Sequence, residues 1–190
     1  TAQNIDMDIT IDNARTLREE GTYPAVIAGI IDVGPQEIVY LGTTRIVDRV
    51  ILVFQYEDGS TSYEEFSKTM GPKAKLRKLV QGYLDRSLKK EDVENFKLSS
   101  INGKPVQVKI RHNEKGTWAN VDDMLPANDK ANSIKLENEP FVAVYNDPEK
   151  RNFDKLPDFI LNKMMGITNS SSDLDSIEDN SGIEAVAWDN

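Results

Sequence analysis

The chain has 190 residues, a mass of 21.4 kDa and no cysteine, which excludes a disulfide framework, a thiolate zinc site and a cysteine nucleophile. One histidine, His112, excludes a multi-histidine metal centre, and 38% hydrophobic against 29% charged residues, with a mean hydropathy of −0.51, describes a polar chain long enough for a core of its own. The formal net charge of −9 is strongly segregated: −8 over residues 1–67, +8 over 68–111, −3 over 112–168 and −6 over 169–190.

In chain order, residues 1–20 are polar with thin alternation (Ile5, Met7, Ile9, Ile11) and read as an extended arm. Residues 23–33 are a β-branched run that Gly34-Pro35 is expected to end, giving a first strand. Residues 37–41 are extended, and Gly42-Thr43-Thr44 turns. A long second strand follows over 45–56, then the hairpin signal Asp58-Gly59, then a third strand over 61–70 stopped by Gly71-Pro72. From 73 to 87 the period changes. Leu76, Leu79, Val80, Tyr83 and Leu84 fall on one helical face, and Lys73, Lys75, Arg77, Lys78 and Arg86 on the other. Residues 89–96 add a short turn. Residues 105–111 alternate apolar and polar as a half-buried strand, Asn113 to Gly116 turns, and 117–124 is the last strand. Beyond Pro126 the pattern weakens, with a short helix expected between 153 and 165. From Asn169 the chain is rich in serine and acid and is expected to be flexible.

Strand, strand, strand, helix, strand, strand is the order of an OB-fold, a five-stranded antiparallel barrel with a helix between strands three and four. A generic antiparallel α+β domain has the same string of elements. The expected organisation is an N-terminal arm at 1–20, an OB-like domain at 21–126, an irregular extension with a short helix at 127–168 and an acidic tail at 169–190.

Several strings resemble a group of small bacteriophage early proteins: Gly21-Thr22-Tyr23-Pro24-Ala25, Ile30 to Glu37, Lys75 to Leu79, Gly103-Lys104-Pro105-Val106, His112 to Lys115 with Ala119-Asn120-Val121, and Leu156 to Ile160. The resemblance is to phage single-stranded DNA-binding or replication accessory proteins. It implies a protein of the infected cell's cytoplasm with single-stranded DNA as partner, and replication proteins as further partners. It assigns no ligand-binding position.

The site residues come from the chemistry of the side chains. Phosphates call for clustered cations, and single strands are held by bases stacked on rings beside a basic groove. Lys73, Lys75, Arg77, Lys78 and Arg86 on the helix, with Arg111, Lys115 and Trp118 in the last hairpin, are the candidate nucleic-acid contacts. A charge run on a helix is more often only a solvated face. Of the other rings, Tyr40, Phe54, Tyr56, Tyr63 and Phe66 lie on or near strands, where about half must be core. In the tail, Ile183, Val186 and Trp188 among acidic residues are the candidate partner-docking positions. Proteins that bind single strands carry such tails, so this too is a resemblance.

Enzyme chemistry finds little footing. Asp122-Asp123 and Glu64-Glu65 are adjacent pairs, and neighbours on a strand face opposite ways, so each pair offers one inward ligand. No phosphate-cradling glycine loop is present, and no cofactor is expected. Thr1 to Asn4 lacks the basic-then-apolar order of a signal peptide, and no run approaches the ~20 apolar residues of a membrane span, so a cytoplasmic protein without membrane contact is expected. The reading is a non-enzymatic, sequence-nonspecific single-stranded DNA-binding protein with an acidic tail for docking or autoregulation, with homo-oligomers possible. The alternative is a phage virion or assembly protein whose ends wrap neighbouring subunits.

Overall fold

The computed structural model describes residues 17–150 and 152–166. The chain is mainly β. Strands β1 (Gly21–Tyr40), β2 (Thr43–Tyr56), β3 (Thr61–Ser67), β4 (Pro105–His112), β5 (Ala119–Pro126) and β6 (Phe141–Val144) form one sheet in the order β3-β2-β1-β4-β5, with β6 added beside β1. Every pairing is antiparallel except β1–β6, which is parallel. No pairing joins β3 to β5, so the sheet is not closed. Helix α1 (Lys75–Leu84) lies between β3 and β4 in the chain. It is followed by α2 (Lys90–Asn95), and α3 (Asp129–Asn132) and α4 (Asp158–Met164) come after β5.

β1 organises the molecule because it serves three partners. Residues 21–26 pair with β4, 25–40 with β2 and 29–32 with β6. Register shifts at Ile27/Gly29 and Asp32/Gly34 supply the bends that one strand needs for this. Gly29 makes room at the β6 contact, since a Cβ there would lie 2.6 Å from the Phe141 ring and displace it.

Alternation sends the two sides of the sheet into two cores. One gathers Ile30, Val50, Leu52, Phe54 and Phe66 with Val108 and Met124, and is closed by Leu76 and Leu79 of α1. The other, on the opposite side, gathers Ile31, Val33, Ile51 and Val53 beneath Ala143, Leu156 and Ile160. α1 crosses β5 at Gly82, where a Cβ would meet the Met124 carbonyl oxygen.

The structure corrects several boundaries. β1 runs through Gly34-Pro35, where a stop is expected, and takes in residues 37–40. Gly34 sits at φ +77° against the Tyr145 ring, a place only glycine fills without strain. β3 ends at Ser67, not at 70, and α1 spans ten residues inside the expected 73–87. β6 lies in the stretch after Pro126, where no strand is expected. The acidic tail and most of the N-terminal arm lie outside the described residues.

Candidate nucleic-acid interface

The period of α1 buries Leu76, Leu79 and Val80 and leaves Lys78 exposed. The structure brings two of the expected contacts to one point. Lys78 Nζ donates to the Asp122 carbonyl oxygen at 3.0 Å and lies 3.8 Å from its carboxylate, while Arg111 Nε lies 3.3 Å from the other carboxylate oxygen. Asp122 reaches both because β5 slips register against Lys109/Ile110, leaving it unpaired in the ladder. All three side chains are substantially exposed. Exposed pairs of this kind contribute only ~0–1 kcal/mol, so a phosphate displacing Asp122 gives up little.

The β4–β5 hairpin continues this strip. Ile110 and Val121 point into the core, so their neighbours Arg111 and Asn120 face outward as a cross-strand pair. Trp118, just before β5, is half-buried, and Lys115 is exposed at the turn. Asn113 stiffens the turn, since its Oδ1 accepts from the Thr117 and Trp118 amides at 2.8 and 3.1 Å.

The other expected contacts are placed differently. Lys73 is exposed and Lys75 half-buried near the start of α1. Arg86 is held by Asp92 at 3.2 Å. The side chain of Arg77 turns inward, where its guanidinium donates to the carbonyls of Leu88 (2.6 Å) and Met70 (3.3 Å) and to Gln81 Oε1. It ties the chain on either side of α1 together. Ile183, Val186 and Trp188 lie outside the described residues.

The rings sort as follows. Phe54, Tyr56 and Phe66 are core, and Tyr40 is half-buried. Arg18 stacks its guanidinium 3.7 Å from the centre of the Tyr56 ring and donates to Ser60 at 2.7 Å, while its carbonyl pairs with His112 Nε2 at 2.9 Å. His112 is therefore half-buried beneath the residues that precede β1. Burial pushes the Tyr56 hydroxyl up to about 12, against the opposing effect of its hydrogen bond with Ser62.

Tyr63 lies under α4, edge-on to Phe159 at 5.7 Å. The side of β1–β3 bearing Ile51, Val53 and Tyr63, extended by Ala143 of β6, is covered by Leu156 and α4. Beneath that cover sits a cluster absent from the sequence reading: Glu65 lies between Arg49 Nε at 2.8 Å and Lys163 Nζ at 3.0 Å. Burial raises the Glu65 pKa, but the charges of Arg49 and Lys163 outweigh it and hold the carboxyl below the usual range.

Among the described residues, no three histidine, aspartate or glutamate side chains gather as a metal site, and no helix is long and apolar enough to cross a membrane. Neither a comparison with protein-family models nor one with curated protein sequences returns a match.

Proposed function

We propose that this is a phage-type, non-enzymatic protein that binds single-stranded DNA with little sequence preference and acts in DNA replication or recombination. The observation that carries the reading is the convergence of Lys78 and Arg111 on Asp122. It joins Lys78 of α1 to the β4–β5 hairpin, which also carries Lys115 and Trp118. Cations beside a ring suit a strand whose phosphates are neutralised and whose bases stack.

The finer fold reading is an OB-like barrel left open between β3 and β5. The bent β1 shared by β2 and β4, and the helix between β3 and β4, support it. The usual OB surface over β2 and β3 is occupied here by α4, so the strand runs along α1 and the β4–β5 hairpin instead. The virion or assembly reading needs ends that reach neighbouring subunits. β6 pairs within the chain's own sheet and Leu156 to Met164 pack on it, which leaves that reading the segments outside the described residues.

The test is anisotropy of labelled oligonucleotides at low salt. Single strands of different sequence should bind with similar affinity and more tightly than duplex. No binding at low salt would refute the reading.

A further inference from the structure

The end of β1 and the start of β2 form a two-stranded end of the sheet, packed on one side through Gln36 and Ile38. Over residues 35–48 these two strands pair only with each other, while β3 begins its pairing with β2 at Arg49. The tip is a two-residue turn with Leu41 at φ +48° and Gly42 at φ +78°, both left-handed, as the hairpin twist demands. Asparagine or glycine suits the first position, and leucine is disfavoured there. Leu41 is nevertheless 86% exposed, and Ile46 on the outer strand is 67% exposed. With Val39, 44% exposed, they gather apolar surface at the end of this hairpin.

The edge beside it is open. The Asp48 carbonyl accepts from the Lys68 amide at 2.8 Å, so the backbone groups of Asp48 turn away from β1. Backbone direction alternates along a strand, so Thr44 and Ile46 also present their N–H and C=O groups outward. Among the described residues, no backbone hydrogen bond reaches that edge between 43 and 47.

We infer that this arm is the contact for a second copy of the chain, paired antiparallel through the outer edge of β2 with Thr44 on the two-fold axis. Four constraints select that register, the first being that an axis on Thr43 carries Ile46 past the partner's turn and leaves it uncovered. Facing residues must point to the same side of the sheet, so the axis passes through a residue and not between two. An axis on Ile46 drives the partner's turn into the chain at Ser67 and Lys68, where β3 already lies beside β2. An axis on Arg45 sets two like charges opposite each other, which is destabilising.

With Thr44 on the axis, Thr44 faces Thr44, Arg45 faces Thr43, and Ile46 faces Gly42 beside Leu41, with every contact made twice. The two exposed apolar side chains then cover each other. Arg45 is the one charged side chain of the open edge, and it meets a hydroxyl. The strip is short, well under the ~800 Å² per partner of a stable interface, so the pair dissociates on dilution. The inference does not depend on the nucleic-acid reading.

Sedimentation velocity of the full chain over a wide concentration range tests it. The chain should pass from monomer to dimer as concentration rises, and Leu41→Asp with Ile46→Asp should raise the dissociation constant at least tenfold. In a Leu41→Lys, Ile46→Lys variant, which puts no like charge opposite Glu37 and should weaken the dimer as much, the melting temperature should not fall, because both side chains are exposed. Facing residues in such a pair have Cα atoms about 5.5 Å apart, within the range a disulfide spans. In this cysteine-free chain, Thr44→Cys should therefore oxidise to a covalent dimer much faster than Ser100→Cys, an exposed control. A chain that stays monomeric at the highest concentration, a dimer indifferent to the double substitution, or equal oxidation of the two cysteine variants would each overturn the inference.

Discussion

Lys163 Nζ of α4 lies 3.0 Å from Glu65 Oε1 of β3, with side chains only 5% and 10% exposed. On the other side of the carboxylate, Arg49, fully buried, holds it at 2.8 Å and also donates to Ser67. The cover over β1–β3 is thus fastened by a buried ion cluster as well as by apolar contact. Gln36 adds to it by donating to the Lys163 carbonyl at 2.9 Å.

Removing one member of such a cluster leaves the others charged and buried. Glu65→Ala should cost about 3–5 kcal/mol. Replacing all three, Arg49→Met with Glu65→Leu and Lys163→Met, should recover most of that, because the apolar set has no charge to desolvate. Urea denaturation of the two variants checks this. A mild effect of Glu65→Ala would mean that water reaches the cluster.

The same carboxylate makes stability depend on pH. Its folded pKa is depressed, so the unfolded chain takes up the proton more readily. The stabilisation is complete above the ordinary carboxylate value of about 4.3 and is lost as pH falls from there through the lowered value. Glu65→Gln should flatten that part of the stability–pH curve in thermal melts. A wild-type curve already falling near neutral pH would assign the loss to another group.

Arg77 and Lys73 separate a structural cation from a solvated one. Arg77→Ala strips charged donors from the Leu88 and Met70 carbonyls and should cost about 1–3 kcal/mol in chemical denaturation. Lys73→Ala, at an exposed position, should leave stability within about 0.5 kcal/mol of the parent. Equal effects would contradict the assignment.

Trp118 should report on the bound strand. With Trp188→Phe to isolate it, its fluorescence should quench on adding oligonucleotide, and Trp118→Ala should weaken binding by about 1–3 kcal/mol. Loss of soluble protein on that substitution would mark the ring as structural support for the hairpin.

Much of the frame is legible in the sequence because it rests on local periodicity. Leu76, Leu79 and Val80 announce α1, and Val106, Val108 and Ile110 announce β4. Gly34-Pro35 misleads because both residues usually end a strand. Here Pro35 is paired with Asp48, whose backbone points away from β1. The N–H that proline lacks would point away from β2, on the side of β1 where the β6 pairing has already ended at Asp32, and no ladder hydrogen bond is lost. β6 is invisible for a different reason. Four residues, Phe141 to Val144, carry no period of their own and become a strand only against Gly29 to Asp32, more than a hundred positions earlier. The partnership of Lys163 with Glu65 is likewise long-range, and a lysine on a short helix gives no sign that it will be buried. The basic strip is half legible. The charge run locates it, but only the fold shows that Arg77 turns inward and that Arg111 joins Lys78.

On the proposed function, the strip from α1 to the β4–β5 hairpin neutralises the phosphates of a single strand. The most direct measurement is the slope of log affinity against log salt for the parent and for the Lys78→Ala, Arg111→Ala, Lys115→Ala variant. Each phosphate contact on a single strand contributes about 0.7 to that slope, so losing three should flatten it by about 2, with affinity for every sequence lowered alike. A variant that binds as tightly as the parent, with the same slope, would show that the strand does not run there.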